Sequence, residues 1–311
     1  MKIASPPAAA VPPRFGADPR APRAAPAPCP WARVARVLPR RVPALASGLF
    51  ILLTVGAAVT ASFLPLPSPT AQSVVRRLHP PSADNVLGTD RLGRDILSRI
   101  VWGTQVSMAV GAAVVAVSAL IGTVVGLISG YFRGAASDFL VRVVDVLQAF
   151  PALILAMAIV TALGPGLPNV VWGISIGFVP QFARVVRAAT LAVREREYVE
   201  AARAAGASTP RILLRHVLVN GVDPVIVLCT LLIPSAILTE AMLSFLGLGI
   251  TEPTPTWGNI INNGRLVLRE APWLTAFPSV AIVLTVIAFN LVGDAIRDAL
   301  DPRIQDVWVS R

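Results

Sequence analysis

The chain has little charge for its size. Only 14% of its 311 residues are charged, while 55% are hydrophobic and the mean hydropathy is +0.70. A soluble domain carries about 25% charged residues. One aqueous globule could not bury this much apolar surface, so the composition indicates a membrane protein.

Cysteine and histidine are also scarce. Cys29 and Cys229 are far apart in sequence, and neither His79 nor His216 has a potential metal ligand close by. This excludes a disulfide framework and predicts neither a metal site nor a cofactor. The sequence also lacks a G-x-x-x-x-G-K-[ST] phosphate loop and an H-E-x-x-H pair, so neither nucleotide hydrolysis nor zinc proteolysis is indicated.

The first 41 residues are rich in proline and arginine. They contain ten prolines and eight basic residues against one acid, Asp18. Such a segment cannot form a long helix or bury a core, so we predict a disordered cytoplasmic arm over 1–41. The net charge of +10 comes almost entirely from arginines in this arm and at the ends of apolar runs. That placement is typical of topology signals and contact with membrane lipid, and does not indicate nucleic-acid binding.

Six apolar runs follow the arm. They approach or exceed the length needed to cross a hydrocarbon core of about 30 Å. The fourth is the weakest, because Gln181, Arg184 and Arg187 enter it. The sequence therefore predicts six transmembrane helices with both termini on one side, at 42–64, 106–129, 146–163, 169–187, 222–249 and 274–293.

Arginine is concentrated in the segments on one predicted side. The arm, 130–145, 184–216 and the tail at 297–311 are basic, whereas 164–168 is uncharged. The excess of basic residues in cytoplasmic loops predicts that both termini are cytoplasmic.

One segment disagrees with this topology. Residues 66–100 should lie outside, yet they hold five arginines and three aspartates. Within them, 85–99 has the pattern of an amphipathic helix carrying Asp90, Arg91, Arg94 and Asp95. Such a helix could seal the outer mouth of the bundle, meet another protein, or lie on the surface held by its own ion pairs.

Two features of the spans need explanation. Ser118, Gly122, Gly126 and Gly130 recur every four residues, a spacing that lets helix backbones approach closely in lipid. They indicate either a tight, movable contact or ordinary bundle packing. Glu240 lies within an apolar run, where an ionisable group either lines a pathway or is hydrogen-bonded inside the bundle. An ion-coupled secondary transporter would need such groups, but Glu240 is the sole candidate and no inverted pair of broken helices is visible.

The polar stretch EYVEAARAAGASTPRILLRH at 197–216 interrupts the apolar pattern. We predict that the fourth span continues through it as a helix, in which Glu200 can pair with Arg196 and Arg203. Gly206 should end this helix, because glycine accepts positive φ at a helix C-terminus.

A second helix is predicted directly after the bend. Ser208 or Thr209 can cap it and Pro210 suits its first turn. The alanines at 201, 202, 204 and 205 make a small, smooth surface. Such an elbow could fit a groove on another protein, or it could be a solvated loop that carries topology charges.

The motif EAARAAG at 200–206 resembles the coupling motif of ABC importer permeases. The wider resemblance covers about 45–303 and points to the second permease of the dipeptide, oligopeptide, nickel and glutathione group. One departure is Val219, where the family usually has proline at the entry to the fifth span. Five stretches carry the resemblance: NVLGTDRLGRDILSRIVWG (85–103), REREYVEAARAAGAS (194–208), ILTEAMLSFLGLGI (237–250), PTWGNII (255–261) and AFNLVGDAIRDALDPR (288–303).

The resemblance implies an all-α membrane protein with six transmembrane helices, a type I ABC importer transmembrane domain with a cytoplasmic coupling helix. It implies an N-terminal span with an extracytoplasmic segment at 42–104, a five-helix core at 105–296 and a cytoplasmic tail at 297–311. The residues it implies for coupling to the ATPase are Glu200, Ala201, Ala202, Gly206, Ile212 and Leu218.

The resemblance also implies partners and cargo. The expected partners are a second homologous permease subunit, two ABC ATPase subunits that hydrolyse ATP, and an extracytoplasmic solute-binding protein. The chain itself is then not an enzyme, and its place is the bacterial plasma (inner) membrane. The expected cargo is a di- or oligopeptide, with nickel or glutathione as the alternatives.

Overall fold

The computed structural model describes residues 42–300, so the predicted arm at 1–41 and the tail from 301 onward lie outside the described residues. Within 42–300 the chain is nearly all helical and contains no strand, which confirms the predicted fold class. A π-helical segment at Leu213–Leu218 joins α7 to α8. The helices are α1 (Val42–Val59), α2 (Ile96–Tyr131), α3 (Ala135–Ala149), α4 (Ala152–Leu163), α5 (Leu167–Arg194), α6 (Glu197–Ala204), α7 (Thr209–Ile212), α8 (Val219–Phe245), α9 (Trp257–Arg265) and α10 (Trp273–Leu300).

Five helices are long and apolar enough to cross a membrane: α1, α2, α5, α8 and α10. The predicted third span at 146–163 is divided in the structure, because α3 and α4 meet there at a bend of 94°. The 12 residues of α4 reach about 18 Å, short of a full crossing. Pro151 causes the break, since it pushes Phe150 into an extended conformation. A sixth span exists only if α3 and α4 are counted together.

The helix α2 is longer than predicted, and the segment before it is not helical. Residues 85–95 are irregular, so the predicted amphipathic helix at 85–99 is wrong except for its last turn. The Asp90 carboxylate accepts hydrogen bonds from the Leu92 and Arg94 amides, and such a local side-chain turn competes with helix formation. Asp95 then caps α2, because its carboxylate accepts the Ser98 amide at 2.8 Å.

The predicted stripe of small residues lies between α2 and α5, which form the most extensive helix pair. The Ser118 hydroxyl donates to the Ser175 carbonyl of α5 at 3.1 Å. A Cβ added to Gly126 or Gly130 would lie 2.7 Å from atoms of α5, and one added to Gly122 would lie closer still. Glycine is therefore required here for the two backbones to approach.

The short helix α9 packs against the N-terminal half of α2 and against α8 and α10. Thr256 and Asn259 form a reciprocal capping box at its start, which fixes where it begins. Gly258 abuts α8 and Gly264 abuts α10, since an added Cβ would lie 2.6 Å from Ala241 or Thr275 atoms respectively. The loop before α9 is thereby held close to the start of α2.

Candidate functional site

The elbow consists of α6, the bend at Gly206 and α7. The helix α5 ends at Arg194 and α6 begins at Glu197, because Arg196 has extended backbone angles. The predicted unbroken helix is therefore wrong. Within the described residues no ion pair joins Glu200 to Arg196 or Arg203. Arg196 lies outside the helical repeat, and Arg203 turns away toward Tyr131.

Gly206 ends α6 as predicted. It has a φ of 80°, which strains any residue with a Cβ. The Gly206 amide donates to the Arg203 carbonyl and the Ala207 amide donates to the Ala202 carbonyl, both at 3.0 Å. This pair of bonds is a Schellman motif, which satisfies the last carbonyls of the helix and turns the chain sharply.

A small apolar core supports the elbow from beneath. Val199 of α6 is fully buried against Ile212 and Val217, and Leu127 of α2 and Val186 of α5 complete the cluster. Leu218 packs at its edge. The structure thus places two of the expected coupling residues, Ile212 and Leu218, in or against the core rather than on the surface.

The other four expected residues form the outer surface. Glu200, Ala201 and Gly206 are exposed, and Ala202 is half-buried. A Cβ added to Gly206 would meet nothing within 4 Å. Apart from Glu200, the residues of this face are alanine and glycine, so the backbone of another protein could approach it closely.

Arginines of α5 and of the elbow contact the C-terminal end of α2. Arg194 Nη1 donates to the Gly130 carbonyl at 2.7 Å, which satisfies one of the free carbonyls at that helix end. Arg203 Nη2 donates to the Tyr131 hydroxyl at 3.2 Å, and its guanidinium lies 5.8 Å from the centre of the Tyr131 ring. These contacts connect the C-terminal end of α2 to both α5 and α6.

The second helix of the elbow does not end before the fifth span. Ser208 has the extended angles of an N-cap, although its side chain makes no capping bond, and Pro210 lies in the first turn. From Thr209 to Phe245 the helical path continues without a turn, through the π-helical segment into α8. Val219 has ordinary right-handed helical angles, so the departure from the family proline introduces no break.

Glu240 is fully buried and joins three helices. Its carboxylate accepts hydrogen bonds from Ser244 of α8 at 2.7 Å and from Ser107 of α2 at 3.3 Å. The Ser107 hydroxyl in turn accepts the Trp257 amide of α9 at 3.4 Å. Of the two roles that the sequence left open for Glu240, this arrangement matches the second, a carboxylate hydrogen-bonded inside the bundle.

A serine-hydrolase pattern, G-x-S-x-G, occurs at 173–177 but lies in the middle of α5. The nucleophile elbow of such enzymes needs a strand, a sharp turn and an exposed serine. Ser175 is instead buried, and its hydroxyl donates to the Val114 carbonyl at 3.3 Å. The pattern therefore serves helix packing.

An ion cluster that the sequence did not predict lies at the other end of α2, where Asp90, Arg94 and Arg99 are buried. The Glu252 Oε1 atom accepts from Arg94 Nη2 at 2.9 Å, Arg99 Nη2 at 3.0 Å and Asn263 Nδ2 at 2.8 Å. Arg94 Nε also pairs with Asp90 Oδ2 at 2.6 Å. The excess of arginine at 66–100 was the sequence signal for these counter-charges, because buried arginines require carboxylate partners.

The cluster shifts the protonation of its own members. Burial by itself would raise the pKa of the Glu252 carboxyl. The hydrogen bond from Arg94 and the positive charges of Arg99 and Arg94 outweigh burial and hold that pKa below its usual value. Glu252 is therefore ionised at neutral pH and links the 246–256 loop to the start of α2.

The helical architecture defines a class of fold, the type I ABC importer transmembrane domain. The structure is similar to the MetNI methionine ABC transporter in an inward-facing form, with a TM-score of 0.53 over 66% of this chain and 97% of that one. Sequence identity is 20%, so this likeness concerns the fold alone.

Sequence comparison places the chain within that class. The family of binding-protein-dependent transport system inner membrane components matches residues 122–306, and the chain belongs to this family. It is 44% identical over 277 residues to the glutathione transport system permease protein GsiD of Pectobacterium atrosepticum, which covers 89% of this chain and 92% of the relative. A relative from Brucella suis, provisionally named a peptide transport system permease protein, is 42% identical over 276 residues, which cover 89% of this chain and 93% of the relative.

The chain is thus a multi-pass inner-membrane permease of a binding-protein-dependent ABC importer. Importers of this kind work with ATPase subunits and a solute-binding protein, and the ATPase subunits carry out ATP hydrolysis. The predictions of family and of a non-enzymatic permease role are confirmed.

Proposed function

We propose that the chain is a permease of a peptide importer, and that α6 is the element through which ATP hydrolysis moves it. The observation that carries the coupling role is the exposed alanine and glycine surface at the C-terminal end of α6, which lies over a buried core. The cargo proposal rests on relatives whose names give peptide and glutathione transport. Glutathione is itself a small peptide and is the second candidate, favoured by the 44% identity to GsiD.

In this proposal the six coupling residues have two roles. Glu200, Ala201, Ala202 and Gly206 contact a groove of the ATPase subunit. Ile212 and Leu218 hold α6 in place from beneath. A short helix on a packed base can transmit a push, whereas a solvated loop would yield to it.

The proposed assembly pairs this chain with a second homologous permease, two ATPase subunits and a solute-binding protein. The N-terminal span and extracytoplasmic segment occupy 42–104, and the core is 105–296, with α2 entering it from Ile96. Both termini and α6 lie on the cytoplasmic side, because the basic segments collect there. The ion cluster, at the opposite end of the 36-residue α2, then faces outside.

The coupling role is tested by co-purification of the tagged chain from native membranes, with and without Gly206→Arg. Gly247→Arg is a matched control, because Gly247 has a φ of 82° against 80° for Gly206 and likewise has open space around its Cα. We expect Gly206→Arg to reduce recovery of the ATPase at least about tenfold, as for loss of an interface hot spot. The second permease should still co-purify, and Gly247→Arg should retain both partners.

Retention of the ATPase by Gly206→Arg would refute the coupling role of α6. The cargo is tested separately by uptake of a labelled dipeptide, glutathione and Ni²⁺ into cells that lack their other importers for these solutes. Uptake of Ni²⁺ but of neither peptide would refute peptide import and leave the coupling result unaffected.

A further inference from the structure

A cavity of about 280 Å³ lies beside the ion cluster at the N-terminal end of α2. It opens to solvent. Pockets for whole ligands measure about 300–1,000 Å³, so this cavity suits one end of a small molecule. Its polar lining comprises Arg77, Asp90, Arg91, Arg94, Glu252 and Asn263.

Two arginines of the cavity have no counter-charge. Among the described residues, the side chains of Arg77 and Arg91 make no hydrogen bond or ion pair. The Nε atom of Arg91 is buried without any partner. The two guanidinium groups therefore retain donors that an anion in the cavity could pair with.

The carboxylates of the cavity do not pair with those arginines in the structure. Both Asp90 oxygens are engaged, by the Leu92 and Arg94 amides at 2.8 and 2.9 Å and by Arg94 Nε at 2.6 Å. Glu252 Oε1 already accepts three donors. With the adjacent Arg99, four guanidinium charges face two carboxylate charges, so the site has a surplus of positive charge.

The frame around the cavity is fixed before any ligand arrives. The Ser73 amide donates to the Leu92 carbonyl and the Leu78 amide to the Asp90 carbonyl, both at 3.0 Å. Gly93 has a φ of 71° and lies so close to Ser73 that no side chain could fit. The backbone that carries Arg91 is therefore fixed in advance, which lowers the cost of reorganisation when its guanidinium group binds a carboxylate.

We infer that this cavity binds the C-terminal carboxylate of the cargo peptide as it enters the permease, with Arg91 as the principal donor. Arginine suits this role, because its planar N–H groups match the two oxygens of a carboxylate. The inference rests on the proposed peptide cargo. It adds a recognition site on the permease itself, in addition to selection by the solute-binding protein.

The first test measures the melting temperature of the purified complex, without solute-binding protein, in trialanine or in trialanine amide at constant ionic strength. Binding to the folded state alone raises stability. Trialanine should raise the melting temperature more than its amide, and Arg91→Gln should abolish that difference. Arg76→Gln is the matched control, since Arg76 is an exposed neighbour that does not line the cavity. Arg91→Lys should retain part of the effect.

The second test measures uptake of the same two peptides by the full complex with its solute-binding protein. The wild type and Arg91→Gln are measured with the same solute-binding protein. The binding protein's own preference therefore cancels when the ratio of the uptake rates of the two peptides is compared between wild type and variant. Arg91→Gln should lower the preference for the free carboxylate about tenfold, the effect of losing one charge-assisted hydrogen bond.

An equal stabilisation by both peptides in the wild type overturns the inference, as does a difference that survives in Arg91→Gln. Equal loss of uptake for both peptides also overturns it, and assigns Arg91 to a contact with another protein. If the wild type transports neither peptide, the proposed cargo is wrong, and the melting temperatures alone decide whether the carboxylate site exists.

Discussion

The Arg99 guanidinium and the Glu252 carboxylate lie 3.0 Å apart, although 153 residues separate them in sequence. Arg99 is completely buried at the start of α2, and Glu252 precedes α9. The pair therefore fixes the position of the loop before α9 relative to the first turn of α2. With Arg94, it accounts for two of the five arginines in the segment that contradicted the predicted topology.

We expect Glu252→Gln to destabilise the protein, because Arg94 and Arg99 would then lack a full counter-charge. Breaking a fully buried ion pair costs about 3–5 kcal/mol. The Glu252 side chain is 36% exposed, so solvent reduces the expected loss to about 1–3 kcal/mol. The measurement is thermal unfolding of the detergent-purified complex. Glu270→Gln is the control, since Glu270 is exposed, and equal melting temperatures for the two variants would contradict the prediction.

The Arg99–Glu252 pair should also make the stability of the folded protein depend on pH. The pKa of Glu252 is lowered in the folded state, so its contribution is complete above the unfolded pKa of about 4.3 and is lost as the pH falls through the folded value. The difference in melting temperature between wild type and Glu252→Gln should therefore narrow below about pH 4.3. The other carboxylates titrate in both the wild type and Glu252→Gln, so their effects on the melting temperature cancel in the difference. A difference that stays constant from neutral pH to pH 3 would refute this linkage.

The close contact between α2 and α5 predicts that adding one methyl group at Gly122 will destabilise the protein. Gly122→Ala would force a Cβ against Phe182, and overpacking costs about 1–3 kcal/mol. Gly56→Ala in α1 is the matched control, because nothing lies within 4 Å of its added Cβ. There the change should be neutral or slightly stabilising. Thermal unfolding of both variants provides the measurement, and comparable stability of the two would show that α2 and α5 are not closely packed.

Glu240 should contribute to structure and not to ion coupling. In Glu240→Gln the amide oxygen can still accept from a serine, so peptide uptake should stay close to the wild-type rate. Glu240→Leu leaves the Ser107 and Ser244 hydroxyls without their acceptor and should cost about 1–2 kcal/mol of stability. Uptake driven by ATP in proteoliposomes without an ion gradient is the readout. Loss of transport in the folded Gln variant would favour the pathway role instead.

Local chemistry let the sequence predict much of the elbow. Glycine at position 206 predicts a helix end, because few other residues accept positive φ, and the structure shows a φ of 80°. The sequence did not predict that some of the coupling residues lie on the surface while others lie in the core beneath. Ile212 and Val199 come together only because α7 folds back beneath α6, and that packing depends on α2 and α5 as well.

The predicted helices failed where a local bond competed with the helical repeat. Asp90 captures the Leu92 and Arg94 amides, and Pro151 forces Phe150 out of helical angles. Both signals were present in the sequence. The sequence alone did not show whether these local effects would outweigh the tendency of the same residues to form a helix. That balance depends on the segments that pack against them.

The sequence by itself determined the membrane class, the number of apolar runs, the bend at Gly206 and the family, because these follow from composition, local backbone preference and motif. The tertiary structure alone decided that Glu252 neutralises Arg94 and Arg99, that Glu240 joins α2 to α8, and that Arg91 lines a cavity without a counter-charge. Each of these contacts spans more than a hundred residues or depends on a cavity wall built from distant segments. Pairing at such separations is set by how the helices pack, and no local pattern encodes it.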